Sequence, residues 1–179
     1  MLKNNIKKKN RGFTLIELVV ALFILAVAIV GIYNSFSTIV VLTVDASSRF
    51  TAAYLAQEGI EIVRNIRDNN WIQSRDWRTG LLDCEYGCEG DYKTSTSSEV
   101  IPLRDYPTGG NKLKIDSDNF YDYDSADGIE TKFKRKITII AQDNNILKVS
   151  VLVTWQEKEE EGCDFGYCIK VEEYLYDWY

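Results

Sequence analysis

The chain has no histidine among its 179 residues. That absence excludes Ser-His-Asp and Cys-His catalysis, histidine metal sites and imidazole pH switching. No G-x-S-x-G, P-loop or H-E-x-x-H string occurs either, so the chemistries those strings carry have no foothold. Paired carboxylates remain chemically available, but a chain with 27 acidic residues brings some together by chance. Nothing here points to an enzyme. The most telling gap is one of charge: from Leu18 to Val44 no residue is ionised.

That gap belongs to a long apolar run with a single charge near its start, Glu17, and a basic leader before it. A helix over the 27 charge-free residues is about 40 Å long, more than the roughly 30 Å of a bilayer's hydrocarbon core. Phe13 to about Tyr33 is the expected span. Lys3, Lys7, Lys8, Lys9 and Arg11 precede it, and the next charge is Asp45, so the positive-inside rule keeps the N-terminus in the cytoplasm and exports the rest. A secretory signal cut at Ala26-Val27-Ala28 fits poorly, because the apolar run continues past that triplet without a polar junction. A lipoprotein leader needs a cysteine close behind the run, and the first cysteine is Cys84. A plain anchor has no use for Glu17, since a carboxylate within a span costs up to about 3 kcal/mol at the bilayer centre.

The string Lys-Lys-Lys-Asn-Arg-Gly-Phe-Thr-Leu-Ile-Glu-Leu-Val-Val-Ala-Leu, residues 7–22, resembles the type III signal of type IV pilins and of the pseudopilins of type II secretion. The resemblance implies cleavage between Gly12 and Phe13 by a membrane peptidase, methylation of the new Phe13 amine by the same prepilin peptidase/N-methyltransferase, and a role in assembly for Glu17, the fifth residue of the mature chain. The fold it implies is α+β and pilin-like: a long N-terminal helix, transmembrane in its first half and amphipathic in its second, packed on an antiparallel sheet. The chain departs from many family members in having no proline midway along the apolar segment; Gly31 and Asn34 are the candidates for local looseness there. A weaker resemblance, over Ala52 to Asp68, is to the V-type minor pilins.

The chain then divides into a cleaved leader, 1–12, a membrane and filament-core helix, 13–44, and an exported domain, 45–179, large enough for one hydrophobic core. The formal charge is −6, and loss of the five leader cations takes it to −11. Such a surface repels phosphate backbones, so no nucleic-acid partner is expected.

Helix is expected to continue to about Asn69. Ala52, Leu55, Gly59, Ile62 and Ile66, flanked by Ala56 and Val63, make one apolar face, and Gln57, Glu58, Glu61, Arg64, Asn65, Arg67 and Asp68 populate the other. Gly59 reads equally as a close-packing residue or as a tolerated helix glycine. Residues 70–128 lack strong periodicity and read as a variable loop region. Val100-Ile101 and Lys112 to Ile115 are short strand candidates, separated by a Thr/Ser tract (Thr94 to Ser98), Pro102 and the turn Pro107 to Gly110. From 129 to 179 a β-meander is expected: Thr131 to Gln142, Ile146 to Gln156 and Ile169 to Trp178 are β-rich, and Leu147, Val149, Val151, Val153 and Trp155 alternate onto one face. An acidic loop, Glu157 to Gly162, precedes the third strand.

The four cysteines form two tight groups, Cys84 with Cys88 and Cys163 with Cys168, and outside the cytoplasm they are expected as disulfides. Three connectivities are open. Closing a small local ring yields about 2 kcal/mol in the chain-entropy model, against roughly 4.5 for bridging the two groups; the glycines within each group suit local loops, and local pairing is the preferred reading. A four-thiolate zinc site has atypical spacers and the wrong compartment. Asp116, Asp118, Asp122, Asp124 and Asp127 gather before the hairpin. Carboxylate-rich loops suit Ca²⁺, but EF-hand spacing is absent, so a solvated loop without cofactor or metal is expected. Exposed aromatics among Trp71, Trp77, Trp155, Tyr174, Tyr176, Trp178 and Tyr179 could form an adhesive or subunit-contact surface, though most at strand spacing are more simply core.

These readings converge on a structural subunit. The resemblance implies a minor pilin, held by a single pass in the inner membrane before assembly and then part of an extracellular filament with other pilin subunits. A pseudopilin of a secretion or DNA-uptake machine shares the same first forty residues, and a tip adhesin is the alternative of another class.

Overall fold

A computed structural model describes residues 12–94, 103–156, 163 and 166–177. The leader cations, most of the Thr/Ser tract, Val100, Ile101, Pro102, the acidic loop 157–162, Trp178 and Tyr179 lie outside the described residues. The chain divides into two compact units, Met1–Asp45 and Ala46–Tyr179.

One helix, α1, runs Leu15–Ile72. It passes through Gly31 and Asn34 without interruption. Its start is chemically specified: Thr14 sits at the N-cap and Glu17 three residues on, the two ends of a capping box. Thr14 N–H and Oγ–H donate to Glu17 Oε2 at 3.0 and 2.9 Å, and Glu17 N–H donates back to Thr14 Oγ1 at 3.3 Å. In the first unit the helix exposes every apolar side chain from Leu15 to Val44. Three of its hydroxyls turn inward to the backbone, Ser37 to Tyr33 O at 3.1 Å, Thr38 to Asn34 O at 3.2 Å and Thr43 to Ile39 O at 2.8 Å, which satisfies those groups within the helix.

In the second unit α1 packs on an antiparallel sheet. Its strands are β1 (Cys88–Glu89), β2 (Arg104–Asp105), β3 (Lys112–Ile115), β4 (Tyr121–Asp122), β5 (Ile129–Asp143), β6 (Ile146–Thr154) and β7 (Cys168–Tyr176). β5, β6 and β7 are the meander: β5 and β6 are joined through Asn144 and Asn145 and pair from Lys134 to Asp143, and β6 and β7 pair along their whole length. The 15 residues of β5 are long enough to serve two partners on its other edge. β3 pairs with it at Ile129 to Lys134, and β1 at Ile137.

The helix face Ala52, Leu55, Ala56, Ile62, Val63 and Ile66 is buried, as are Leu147, Val149, Val151, Val153 and Trp155. Strict alternation along β6 (half-buried, buried, repeated) is the pattern of a strand with one covered face. Gly59 is a close-packing residue: a Cβ there would stand 2.8 Å from Val151 Cγ1 and 3.2 Å from Arg135 Cδ.

Three expectations need correction. Arg67 belongs to the covered face, not the polar one; its guanidinium lies 4.8 Å from the Trp71 ring centre and its Nε donates to Asp68 at 2.8 Å. Residues 70–128 are more than surface loop, since Trp77, Leu81, Leu103, Leu113 and Tyr123 are buried in the core. The loop after α1 is held by Asn70, whose Nδ2 donates to Trp77 O at 3.2 Å and Thr79 O at 2.9 Å. Finally, Asp122 of the aspartate cluster is fully buried, whereas a solvated loop would leave it in water.

Candidate functional site

Gly12 and Phe13 lie just ahead of the helix cap. Phe13 is 84 % exposed, and a Cβ built on Gly12 meets nothing within 4 Å. The peptide bond between Gly12 and Phe13 is therefore sterically open and followed at once by helix. Glu17 points back across the first turn and holds the Thr14 amide. The amine that cleavage would create belongs to the residue before that amide. Two hydrogen bonds from Thr14 fix the Glu17 carboxylate at the first turn of the helix. α1 is long and apolar enough to cross a membrane by length and composition.

The cysteine pairs are local. Cys84 bonds Cys88 with a Cα separation of 5.2 Å, and Cys163 bonds Cys168 at 5.4 Å. Cys84 and Cys88 are both buried, and Gly87 between them adopts φ +119°, a conformation that the tight ring demands and a side chain resists. Tyr86 at the tip is 88 % exposed.

The aspartate cluster is a web of internal bonds. Asp116 Oδ1 accepts the amides of Asp118 and Phe120, both at 2.9 Å, and its Oδ2 accepts the Tyr92 hydroxyl at 2.8 Å. Asp122 takes the Lys93 ammonium and, at 2.6 Å, the Ser125 hydroxyl. Asp124 faces Arg104, whose Nη1 donates at 2.8 Å. Asp118 and Asp127 are left exposed. The backbone N–H of Phe120 and the Tyr92 hydroxyl hold the Asp116 carboxyl below its usual range. Arg104 does the same to Asp124. Burial pushes Asp122 up, and the Lys93 and Ser125 donors outweigh it, so the net shift is down.

Sequence reasoning missed Asp91 beneath this web. It is 1 % exposed and its Oδ1 accepts the amides of Lys93 and Thr94 at 3.1 and 3.0 Å, while its Oδ2 accepts Tyr123 N–H at 3.3 Å. The spacing Asp-x-x-Thr is the available sign of such a turn. Among the described residues no group of three or more His, Cys, Asp or Glu is arranged to hold a metal ion.

Of the aromatics, Trp77 and Trp155 are core, whereas Tyr174 and Tyr176 on β7 are about half exposed. They border a groove of about 400 Å³ with Arg64, Arg67 and Glu173. Arg64 is committed to Glu173 there, donating through Nε at 3.0 Å and Nη2 at 2.6 Å. The groove has no uncompensated cation, and its chemistry is that of a brace between helix and edge strand.

Residues 7–33 match the family model of the prokaryotic N-terminal methylation motif. No curated protein and no solved structure matches the chain. The matched segment covers Gly12, Phe13, Glu17 and the first half of the apolar helix, and the helix it opens packs on an antiparallel sheet in the second unit. Motif and fold together support a type IV pilin-like prepilin: the methylation motif spans residues 7–33, and the fold is α+β and pilin-like.

Proposed function

We propose that the chain is a minor subunit of a type IV pilus or a related filament. Prepilin peptidase cuts it between Gly12 and Phe13, the new amine is methylated, and residues 13–44 pass from the inner membrane into the core of an extracellular filament among the helices of other pilins. The exported unit is structural, with two local cystines and no cofactor. The acidic loop needs no Ca²⁺, because protein donors already occupy Asp91, Asp116, Asp122 and Asp124.

The observation that carries this reading is the capped start of α1. Thr14 and Glu17 begin a stiff apolar helix one residue beyond the bond to be cut. A carboxylate in a low-dielectric bundle is costly alone and tolerable beside a cation. In a filament core Glu17 therefore needs the Phe13 amine, of its own chain or of a neighbour. A pseudopilin of a secretion or DNA-uptake system would use the same segment in the same way.

The test separates processing from assembly. Replacing Gly12 by a bulky residue should leave the leader attached and the protein in the membrane. Glu17→Val should still be cut after Gly12, yet enter sheared filaments poorly or lose methylation. Mass spectrometry of the mature N-terminus and immunoblots of sheared filaments read both outcomes. A native chain beginning at Met1, or cut after Ala28, would refute the proposal.

A further inference from the structure

The sheet ends on one side in a long strand with an open outer edge. β7 pairs with β6 from Cys168 to Tyr176 without a bulge, and with no other strand among the described residues. Two hydrogen bonds just beyond the ends of this ladder fix its phase: Asp177 N–H donates to Asn145 O at 3.1 Å, and Trp155 N–H donates to Tyr167 O at 3.2 Å. In an antiparallel ladder bonded and non-bonded pairs alternate, so Ile169, Val171, Glu173 and Leu175 spend their main-chain groups on β6. Cys168, Lys170, Glu172, Tyr174 and Tyr176 turn theirs outward.

Proteins blunt such edges with very short strands, proline, bulges or an unpaired lysine. The other margins of this sheet follow that rule, since β2 and β4 have two residues each. β7 does not. It contains no proline, its register is unbroken, and its one lysine, Lys170, is paired with Glu172 at 2.8 Å. Toward its end the edge carries Tyr174 and Tyr176, 47 and 53 % exposed, beside the groove shared with Arg64 and Arg67 of α1. Cover from the helix also thins at this margin: Val151 and Val153 of β6 are fully buried, whereas their partners Val171 and Ile169 on β7 are half-buried.

We propose that β7 accepts an extended strand from a different subunit of the same filament, which continues the sheet past its present edge. The proposal rests on the filament reading, which supplies the neighbour. The outward N–H and C=O groups require a strand, the one conformation that pairs them all together, and its alternate side chains give the contact its specificity. The half-buried Val171 and Ile169 set the donor's pattern: apolar residues at every second position, on the face turned to α1. A second copy of this chain is the wrong donor. Symmetric pairing of two β7 strands is antiparallel, so residues 46–72 of the two copies would run in opposite directions, whereas subunits anchored in one membrane by the same N-terminal segment point the same way. It would also bring together two chains of about eleven negative charges each after processing.

The test uses the full-length chain in its own membrane, with the photo-crosslinking residue p-benzoylphenylalanine replacing Tyr176. Irradiation should join the chain to a different processed prepilin, through a peptide in which apolar residues alternate, and the adduct should be recovered in sheared filaments. Lys170→Pro and Tyr174→Pro each remove one outward N–H and leave the bonds to β6 in place, so each should lower the adduct several-fold. Tyr174→Ala keeps that N–H and should lower it little. A second readout decides even where a proline variant fails to accumulate: in the parent chain the amides of Lys170, Glu172, Tyr174 and Tyr176 should exchange with deuterium freely in detergent and several-fold more slowly in filaments, while those of Val171 and Glu173 are slow in both. An adduct with a second copy, equal losses from proline and alanine at 174, a yield insensitive to proline, or equal exchange in the two states would overturn the strand docking. Absence of the processed chain from sheared filaments would overturn the filament reading and the docking with it, whereas its presence there without the adduct would count against the docking alone.

Discussion

At the scale of single residues, Gly59 sets how closely helix and sheet approach. Glycine inside a helix costs about 1 kcal/mol relative to alanine, so propensity alone favours Gly59→Ala. Packing opposes it: the new methyl would stand 2.8 Å from Val151 Cγ1, and a β-branched strand residue has little rotameric freedom to retreat. Overpacking of this kind costs about 1–3 kcal/mol, more than the propensity gain. We expect Gly59→Ala to destabilise residues 46–179 by about 1 kcal/mol in urea unfolding, and Val151→Ala in the same background to recover part of that loss. A variant more stable than the parent would mean that the helix shifts freely on the sheet.

At the scale of elements, Arg135 ties three of them together. It sits on β5, fully buried; its Nη1 donates to Leu55 O and Glu58 Oε2 on α1, both at 3.0 Å, and its Nη2 donates to Gly90 O just after β1. Only its Nε lacks a partner. Tyr123 donates its hydroxyl to the Arg135 carbonyl at 3.3 Å, and burial pushes that phenol's pKa up. Arg135→Met keeps the length and removes every one of the guanidinium bonds, stranding Glu58 and the Gly90 carbonyl. The expected loss is about 3 kcal/mol, at the lower end for breaking a buried pair because Glu58 reaches partial solvent. Urea melts of the variant should show it, and Glu58→Gln should cost much less, since the two carbonyl bonds survive. Comparable losses from the two changes would indicate that the charge pair, not the three-way tie, is what matters.

For the whole molecule, charge couples stability to pH in one direction. Asp116, Asp122 and Asp124 have folded pKa values below their ordinary ones. A depressed carboxylate contributes stability that is fully present above its unfolded value, about 3.9, and is lost as pH falls through the folded value. With no histidine in the chain, no imidazole titrates between pH 5 and 8. Thermal melts of residues 46–179 should therefore change little from pH 8 to 5 and drop steeply below about pH 4. Lys93→Met should shrink that acid-side drop, because Asp122 would lose the cation that holds its pKa down. A melting temperature that rises on acidification would contradict the shifts.

Sequence by itself determined what depends on neighbours along the chain. Periodicity marked the helix face from Ala52 to Ile66 and the alternating face of β6, because a covered surface selects apolar residues at the period of its backbone. The string around Gly12 and Glu17 was readable because a sequence motif and a helix cap are both made by a few consecutive residues. The structure sets Arg135 in line with Phe133, Ile137 and Ile139 on the inward face of β5, a place that no periodicity reading assigned to a charged residue. Only the tertiary structure decided its hydrogen-bond partners, brought Asp91 under Tyr123 and Lys93 onto Asp122, placed β1 and β3 along one edge of β5, and left β7 at the margin of the sheet. Each of these depends on residues far apart in the chain, and their proximity is set by how the whole hydrophobic surface closes, which no local pattern encodes.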